Sequence, residues 1–386
     1  MKKKKPSDSC EMMAYRFYGV PSGQDAELEA RTFGCCRYLW NRMLGDHITL
    51  YEEIGEVPDN TPADYKDLDE CLWLADVDSL ALANVQKNLD TAFRRFYKGV
   101  SRFPKFKAKK YAKRSFTTNA VYGKKKDGSV SCNIQLDEDK GLLKLPKHQD
   151  PVVLRMHRCI RPGGKLKSVT VTQEPDGKTY YSILMEYPKL QVAKSEPENC
   201  LGLDMSLPKL YVDSNGDSPE FPKPYREMEA RIAREQKKLS RKKPGSKRYE
   251  EQRIRVAKLH AKAKHQRRDI LHKLSCTLTD TYDVIAIEDL DMSAMKKSLS
   301  FGKSVSDNGW GMFTDMLEYK ATRKGKAVVK VDRWFPSSKT CISCGHVHKE
   351  LKLSDRTYLC PECGHAMDRD EQAAKNILNE AMRMLA

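Results

Sequence analysis

Residues 341–378 read CISCGHVHKELKLSDRTYLCPECGHAMDRDEQAAKNIL. Two Cys-x-x-Cys pairs, Cys341/Cys344 and Cys360/Cys363, are separated by 15 residues. Four thiolates on two tight turns, brought together by a hairpin, are the donor set of a closed tetrahedral Zn2+ site. Each second cysteine is followed by a glycine, Gly345 or Gly364, free to take the positive φ that such a knuckle requires. Four sulfurs leave no open coordination position, so the expected zinc is structural. Seven residues beyond Cys363 stands Asp370, opening an amphipathic helical pattern that runs over 371–385. A zinc ribbon that leads directly into a carboxylate reads as a small insertion within a larger catalytic core.

The chain is 386 residues long, enough for two or three domains. Its 70 Lys and Arg against 53 Asp and Glu give a net charge of +17. That excess favours a polyanionic partner, either nucleic acid or an acidic membrane surface. No apolar run approaches the ~20 residues of a spanning helix, and the basic start MKKKKPSDS is not followed by an apolar signal segment. The expectation is a cytoplasmic protein without a membrane partner. Eight further cysteines (Cys10, Cys35, Cys36, Cys71, Cys132, Cys159, Cys200, Cys276) have no paired spacing. They read mostly as buried apolar fillers in a reducing compartment, without disulfides.

Working back from the ribbon, KAVVKVDRWF reads as a strand and residues 307–323 as a helix. TYDVIAIEDLD (281–291) reads as a buried strand ending in carboxylates, and LGLDMSLPKLYVDSNGD (201–217) as two strands and an Asn-Gly turn. Between them, residues 223–273 form two helices around KKPGS, with 19 Lys and Arg against six Asp and Glu. Such an excess exceeds what solubility needs and suits phosphates. KSEPEN (194–199) is a polar linker. Before it, KSVTVTQEPDGKTYYSILMEY is a hairpin around Pro175-Asp176-Gly177, part of a small antiparallel barrel or sandwich. Residues 101–126 carry ten Lys and Arg, no acid, and the aromatics Phe103, Phe106, Tyr111, Phe116 and Tyr122. Cations interleaved with aromatics are the footprint of contact with RNA or a single strand; a solvated linker whose aromatics fold onto the core is the plainer reading. Towards the N-terminus come a strand over 11–20, a helix from about Asp25 to Tyr51, a loop over 56–64, and a helix capped by Ser79 with the apolar stripe Leu82, Val85, Leu89, Phe93 and Phe96.

Three acids stand where apolar elements expose an end: Asp204 after Leu201-Gly202-Leu203, Glu288 after Val284-Ile285-Ala286-Ile287, and Asp370 at the last helix. Gathered carboxylates need cations, and Mg2+ is the natural one, being held by carboxylates, waters and substrate phosphates. Two such ions ~3.5–4 Å apart would clamp the attacking water and the leaving 3′-oxygen of a phosphodiester, as in a nuclease core. Asp368 is a rival for the third position.

On these residues the chain resembles the TnpB family of transposon-encoded RNA-guided DNA nucleases, relatives of the type V CRISPR effectors. The likeness runs through TFGCCRYLWNRML, VDSLALANVQKNLDTAFRRF and RFPKFKAKK in the first half. In the second it runs through LDMSLPKLYVDSNGD, REQKKLSR, RRDILHKLS, IAIEDLDMSAM, GWGMF, WFPSSKTCISCG and DRDEQAAKNIL. The resemblance implies an α/β multidomain protein. Its N-terminal β-barrel wedge domain (1–22 and 120–195) would hold an inserted helical recognition domain (23–119). Its C-terminal RNase H-like RuvC nuclease domain (199–335 and 368–386) would hold the four-cysteine zinc ribbon as a target-nucleic-acid-binding insert (336–367). It implies catalysis by Asp204, Glu288 and Asp370 as Mg2+ ligands, and prefers Asp370 over Asp368. It implies a monomer bound to a guide RNA that reads a short motif beside a double-stranded DNA target and cuts it, in the cytoplasm of a prokaryote and at its nucleoid. Two departures stand out. The family's Asp-x-Gly is here Asp204-Met205-Ser206, and its Asp-x-Asn-Ala-Ala has Gln372 for Asn. Both spare the carboxylates, and Gln372 keeps an amide donor on a longer arm. The other readings are a guide-dependent DNA-binding repressor, a strand-transferring transposase, and a compact effector guided by a CRISPR RNA.

Overall fold

Along Cys10–Val20 buried Tyr15 and Phe17 alternate with more exposed neighbours, and this period of two makes the segment a strand, β1. The computed structural model describes residues 10–124, 129–189, 197–292, 294–295, 308–352 and 354–386. The leading MKKKKPSDS, Lys125, Lys126, residues 194–196 of the linker and Asp307 lie outside them. The chain divides after Lys189 into two units.

In the first unit β1 is followed by helices α1 (Gly23–Ile54), α2 (Pro62–Lys66) and α3 (Ser79–Tyr97). Strands β2 (Arg114–Asn119), β3 (Tyr122–Lys124), β4 (Val130–Cys132), β5 (Gln135–Asp137) and β6 (Leu142–Lys144) come next. Then come β7 (Val152–Arg155), β8 (Lys165–Gln173) and β9 (Thr179–Pro188). The expected hairpin is β8–β9, turning at Gly177 with φ 86°. The barrel expectation resolves, among the described residues, into one seven-stranded antiparallel sheet, β2-β8-β9-β1-β7-β6-β5, with β2 and β5 at its edges. The loop expected over 56–64 contains the start of α2. The cap of α3 is Asp78, not Ser79: its carboxylate accepts the Leu80 N–H, leaving Ser79 as the first helical residue. Of the eight unpaired cysteines only Cys35, Cys36 and Cys71 are buried, so the filler reading holds for those three.

A polar cluster joins α1 to the sheet. Asp25 and Glu29, one turn apart on α1, are 1% and 2% exposed. Asp25 accepts the backbone N–H groups of Gln149 (2.8 Å) and Asp150 (3.1 Å) and the Ser22 hydroxyl (2.9 Å). Burial alone would raise its pKa, but these bonds outweigh it and hold the carboxyl below its ordinary value. Glu29 accepts the Tyr181 hydroxyl, and the His148 ring lies 3.9 Å away. Burial pushes Glu29 up to about 7; the tyrosine opposes this and the Asp25 charge adds to it.

The second unit contains β10 (Cys200–Ser206), β11 (Leu210–Asp213), α4 (Pro224–Ser240), α5 (Lys247–Thr281) and β12 (Val284–Glu288). It continues with α6 (Trp310–Arg323), β13 (Ala327–Val331), β14 (Thr357–Leu359), β15 (Ala366–Asp368) and α7 (Arg369–Leu385). Its main sheet has the order β11-β10-β12-β13, antiparallel at β11–β10 and parallel thereafter. Parallel strands covered on both faces should be apolar throughout, and Val284–Ile287 are all buried. Leu201, Leu203, Ile285 and Ile287 pack with Leu271, Phe313 and other residues of α5 and α6. The alternate residues Ala286 and Val331 pack with Ile377 and Ala381 of α7. Among the described residues no helix is long and apolar enough to cross a membrane.

Glu29 provides a test of the buried cluster. A carboxyl whose folded pKa is raised from 4.5 to about 7 stabilises the fold below pH 4.5, and that contribution is lost as pH rises through about 7. His148, whose pKa burial lowers, acts in the opposite sense, so the difference between Glu29→Gln and wild type is the informative quantity. Chemical denaturation across pH should find that the variant gains about 3 kcal/mol relative to wild type between pH 4 and 8. A difference that does not change with pH would refute the buried, protonated state.

Candidate active site and zinc ribbon

The register of the parallel strands sets two of the three acids. Leu203 pairs with Ile287, so Asp204 and Glu288 each stand one residue past the same rung, at the same end of the sheet. Side chains alternate along a strand, so Asp204 lies on the Gly202 face and Glu288 on the Ala286 face. That is the face α7 covers. A Cβ on Gly202 would lie 2.1 Å from the Ala374 carbonyl oxygen, so only glycine lets α7 approach this closely. Asp370 is in the first turn of α7.

Asp204 therefore feels both of the other acids. Asp204 is deep in the unit yet partly accessible, and its pKa is raised well above the ordinary carboxylate range, first by burial, then by the Glu288 and Asp370 charges; Arg369 opposes this. Burial also raises Glu288, while the Ser337 hydroxyl, which donates to it, pulls the other way. Asp370 is flanked by Arg369 (3.5 Å) and Arg356 (3.9 Å). The rival Asp368 is the N-cap of α7, its Oδ1 accepting the N–H groups of Asp370 (2.9 Å) and Glu371 (3.1 Å). The raised pKa values of Asp204 and Glu288, with a third carboxylate near Asp204, suit a hard divalent cation such as Mg2+. Among the described residues only the four ribbon cysteines bring three or more ligating atoms within 4.8 Å of one another, so the acids are more loosely gathered than the thiolates.

The ribbon's two knuckles repeat one hydrogen-bond pattern. Gly345 N donates to Cys341 O (2.9 Å) and Cys341 N to His346 O (2.8 Å). Gly364 N donates to Cys360 O (3.1 Å) and Cys360 N to His365 O (2.8 Å). Both glycines have positive φ, 75° and 72°. The sulfurs of Cys341 and Cys363 are 3.7 Å apart and those of Cys344 and Cys360 3.6 Å. A tetrahedron with ~2.3 Å Zn–S bonds has edges of about 3.8 Å, so the donor set fits zinc; a disulfide needs ~2.05 Å. Buried Tyr358 and half-buried Leu351 form the ribbon's small core. A core this small fits a ribbon whose two loops are joined through the four cysteines.

The basic segments divide. In α4 and α5, Arg231, Arg234, Lys258, Lys262 and Arg268 are exposed, while Glu235 and Gln252 join the two helices through a 2.7 Å buried hydrogen bond. In the segment 101–126, Phe116 is core, Phe103 packs edge-on against Phe93 and Phe96, and Tyr122 bonds the Leu166 carbonyl. Lys107 stacks over Trp40 at 3.4 Å, and burial lowers it to about 8. Only Phe106 and Tyr111 stay largely exposed without such packing. The sequence reading missed Ser337 and Trp334. The tryptophan is 85% exposed beside the Arg333–Asp289 ion pair (2.8 Å). Both lie within the quoted WFPSSKTCISCG, which was the available signal.

Comparison with known proteins gives a consistent picture. Residues 310–377 match the family model "Cas12f1-like, TNB domain", residues 169–299 "Probable transposase", and residues 12–56 "Helix-turn-helix domain". Here that last segment is β1 followed by one unbroken helix. A Streptomyces pristinaespiralis protein named "Putative RNA-guided DNA endonuclease" is 33% identical over 94% of this chain and 87% of its own length. Escherichia coli "Putative RNA-guided DNA endonuclease InsQ" is 29% identical over 97% and 94%. Among solved structures, the Cas12f1–sgRNA–target DNA complex has a protein of like fold, with TM-score 0.53 and 15% identity over 92% of this chain and 83% of that one.

Two measurements test this site. Elemental analysis of purified protein should find about one zinc per chain, and Cys360→Ser or a strong chelator should remove it and lower the melting temperature; zinc-free protein of wild-type stability would refute the ribbon. Gly202→Ala should cost about 3 kcal/mol or more, because its methyl meets backbone that cannot turn aside. Thermal unfolding checks this, and a wild-type melting temperature would mean that α7 does not approach β10 so closely.

Proposed function

This chain belongs to the TnpB family, and we propose that it is an RNA-guided DNA endonuclease whose Asp204, Glu288 and Asp370 form one Mg2+-dependent hydrolytic site. The observation that carries the reading is that Asp204 feels the charges of both Glu288 and Asp370, carboxylates from two other, distant segments. The relatives named as RNA-guided DNA endonucleases match almost end to end, which supports the same partners here: a guide RNA and a DNA duplex opened for pairing. We read the second unit as an RNase H-like RuvC domain, with the four-cysteine ribbon (336–367) as its target-nucleic-acid-binding insert. The first unit corresponds on this reading to a wedge domain holding a helical recognition domain over 23–119.

The work of the residues follows from their positions. Asp204 and Glu288 present carboxylates from the strand ends, and Asp370 presents a third from the helix. Bound there, two divalent cations would activate water and stabilise the leaving oxygen of a phosphodiester. The exposed cations of α4 and α5 suit the phosphates of a guide–target duplex, whose recognition rests on backbone charge and base pairing rather than on base contacts. Trp334, next in sequence to the Arg333 that pairs with Asp289, offers an exposed π face for an unpaired base. In the first unit a cavity of about 260 Å3, lined by Arg37, Asn84, Asn88, Lys113 and Thr117, adds amide and cationic groups suited to nucleic acid.

The test uses one preparation with its guide, assayed for cleavage with Mg2+ and for binding of a matched target. Asp204→Ala, Glu288→Ala and Asp370→Ala should each lower cutting by about 10^3-fold or more, with double variants no worse than single ones, because the acids act as a unit. Target binding should persist. Wild-type cutting by Asp204→Ala would overturn the site. A wild type that binds a matched target but does not cut at any Mg2+ concentration would make the protein a guide-directed repressor.

A further inference from the structure

Ser337 lies four residues before the first zinc ligand and is 6% exposed. Its hydroxyl donates to Glu288 Oε1. Its carbonyl is gripped from the other side, where Asn376 Nδ2 of α7 donates to Ser337 O at 2.7 Å and to Thr340 O at 2.7 Å. One turn earlier on α7, Gln372 Nε2 donates to Thr340 O at 3.0 Å. Within the segment, Thr340 N and its hydroxyl both bond the Pro336 carbonyl, at 3.0 and 2.9 Å. Thr340 then leads directly into Cys341, the first knuckle. Two amides one helical turn apart thus hold two carbonyls one turn apart, and the turn so fixed aims a single hydroxyl at one carboxylate oxygen.

We propose that Ser337 is a positioning residue: it fixes Glu288 in its cation-binding orientation, and through the Asn376 and Gln372 clamp it ties that orientation to the first zinc knuckle. The inference rests on the reading of Glu288 as a Mg2+ ligand and adds what holds it. A carboxylate at a strand end has two free side-chain torsions beyond Cβ. A hydroxyl bonded to Oε1 stops the group from swinging while leaving Oε2 free to ligate. Outer partners of this kind typically change metal affinity by about ten- to a hundredfold when removed. The ribbon, placed in sequence between Glu288 and Asp370, is then part of the machinery that sets the acid site rather than only a separate binding module.

The experiment measures Mn2+ affinity of the full, zinc-loaded chain by electron paramagnetic resonance, with zinc content and melting temperature recorded for every variant. Ser337→Ala should bind Mn2+ about tenfold more weakly, with one zinc per chain and an unchanged melting temperature. Ser337→Thr, which keeps the hydroxyl, should stay within about twofold of wild type, while Ser337→Val, of the same shape without it, should behave like alanine. If the alanine variant does not fold, the Thr and Val pair decides the matter. Wild-type affinity in Ser337→Ala or Ser337→Val, with Glu288→Gln weakened, overturns the positioning role and leaves the acid site standing. Wild-type affinity in Glu288→Gln sinks the acid-site reading itself, and the role of Ser337 with it.

Discussion

The distance between the last helix and the first strand of the second unit governs its chemistry. Gly202 has no Cβ, and the Ala374 carbonyl of α7 occupies the place where one would be. That contact fixes α7 against β10, and with it three things follow. Asp370, four residues before Ala374, is held over the strand end that bears Asp204. Ile377 and Ala381 cover Ala286 and Val331. Asn376 and Gln372 reach the turn that carries Ser337. A helix that comes last in the chain thus touches each of the three carboxylates: one directly, one through a glycine, one through a serine. Parallel strands supply the common end, and α7 brings the third carboxylate to it.

Gathering carboxylates opposes folding. Burial and like charge raise Asp204, so at neutral pH the metal-free acids are a cost to the fold. The unit meets it with apolar packing on both faces of the sheet and with Arg369, which faces Asp204 and Asp370. The first unit handles buried acids differently. There Asp25 is satisfied by two backbone N–H groups and remains ionised, while Glu29 next to it is pushed toward the protonated form. The carboxylate pair of the first unit is resolved by hydrogen bonds and proton uptake, and the three acids of the second are left where a cation can resolve them. On the proposed reading, that contrast separates a structural cluster from a reactive one more clearly than burial does.

The zinc site was legible because its chemistry is local: two knuckles need only Cys-x-x-Cys-Gly, and each closes its own hydrogen bonds. The positions of the acids were readable because each follows an apolar strand or opens a helix, and Asp368 is occupied as the cap of α7; their catalytic role remains the proposal. Ser337 was not legible, because a serine before a ribbon is chemically ordinary until the fold brings it to Glu288, 49 residues away in sequence. The cap of α3 was misread by one residue, since Asp78 and Ser79 are both good caps and only the backbone decides. The basic aromatic segment was overread. Composition cannot distinguish an aromatic offered to a base from one packed on the core, and Phe116 is the latter. The sheet of the first unit was seen as hairpins, but pairing β1 with β9 joins residues 10–19 to 179–188, a separation no local pattern encodes.

Gln372 brings these threads together. Where the family has asparagine, the longer side chain still delivers its amide to Thr340 and remains fully buried. Among the described residues its buried Oε1 has no hydrogen-bond partner. The longer arm thus keeps the donor on Thr340. Its retention is understandable if the donor is what the position requires, because the donor holds Thr340 and through that turn the serine on Glu288. The acceptor has no such consequence. Asn376, one turn along, grips the same carbonyl, so the clamp does not rest on Gln372 alone. The substitution falls where the clamp is doubled. Among the described residues the single links, Gly202 and Ser337, have no second group behind them.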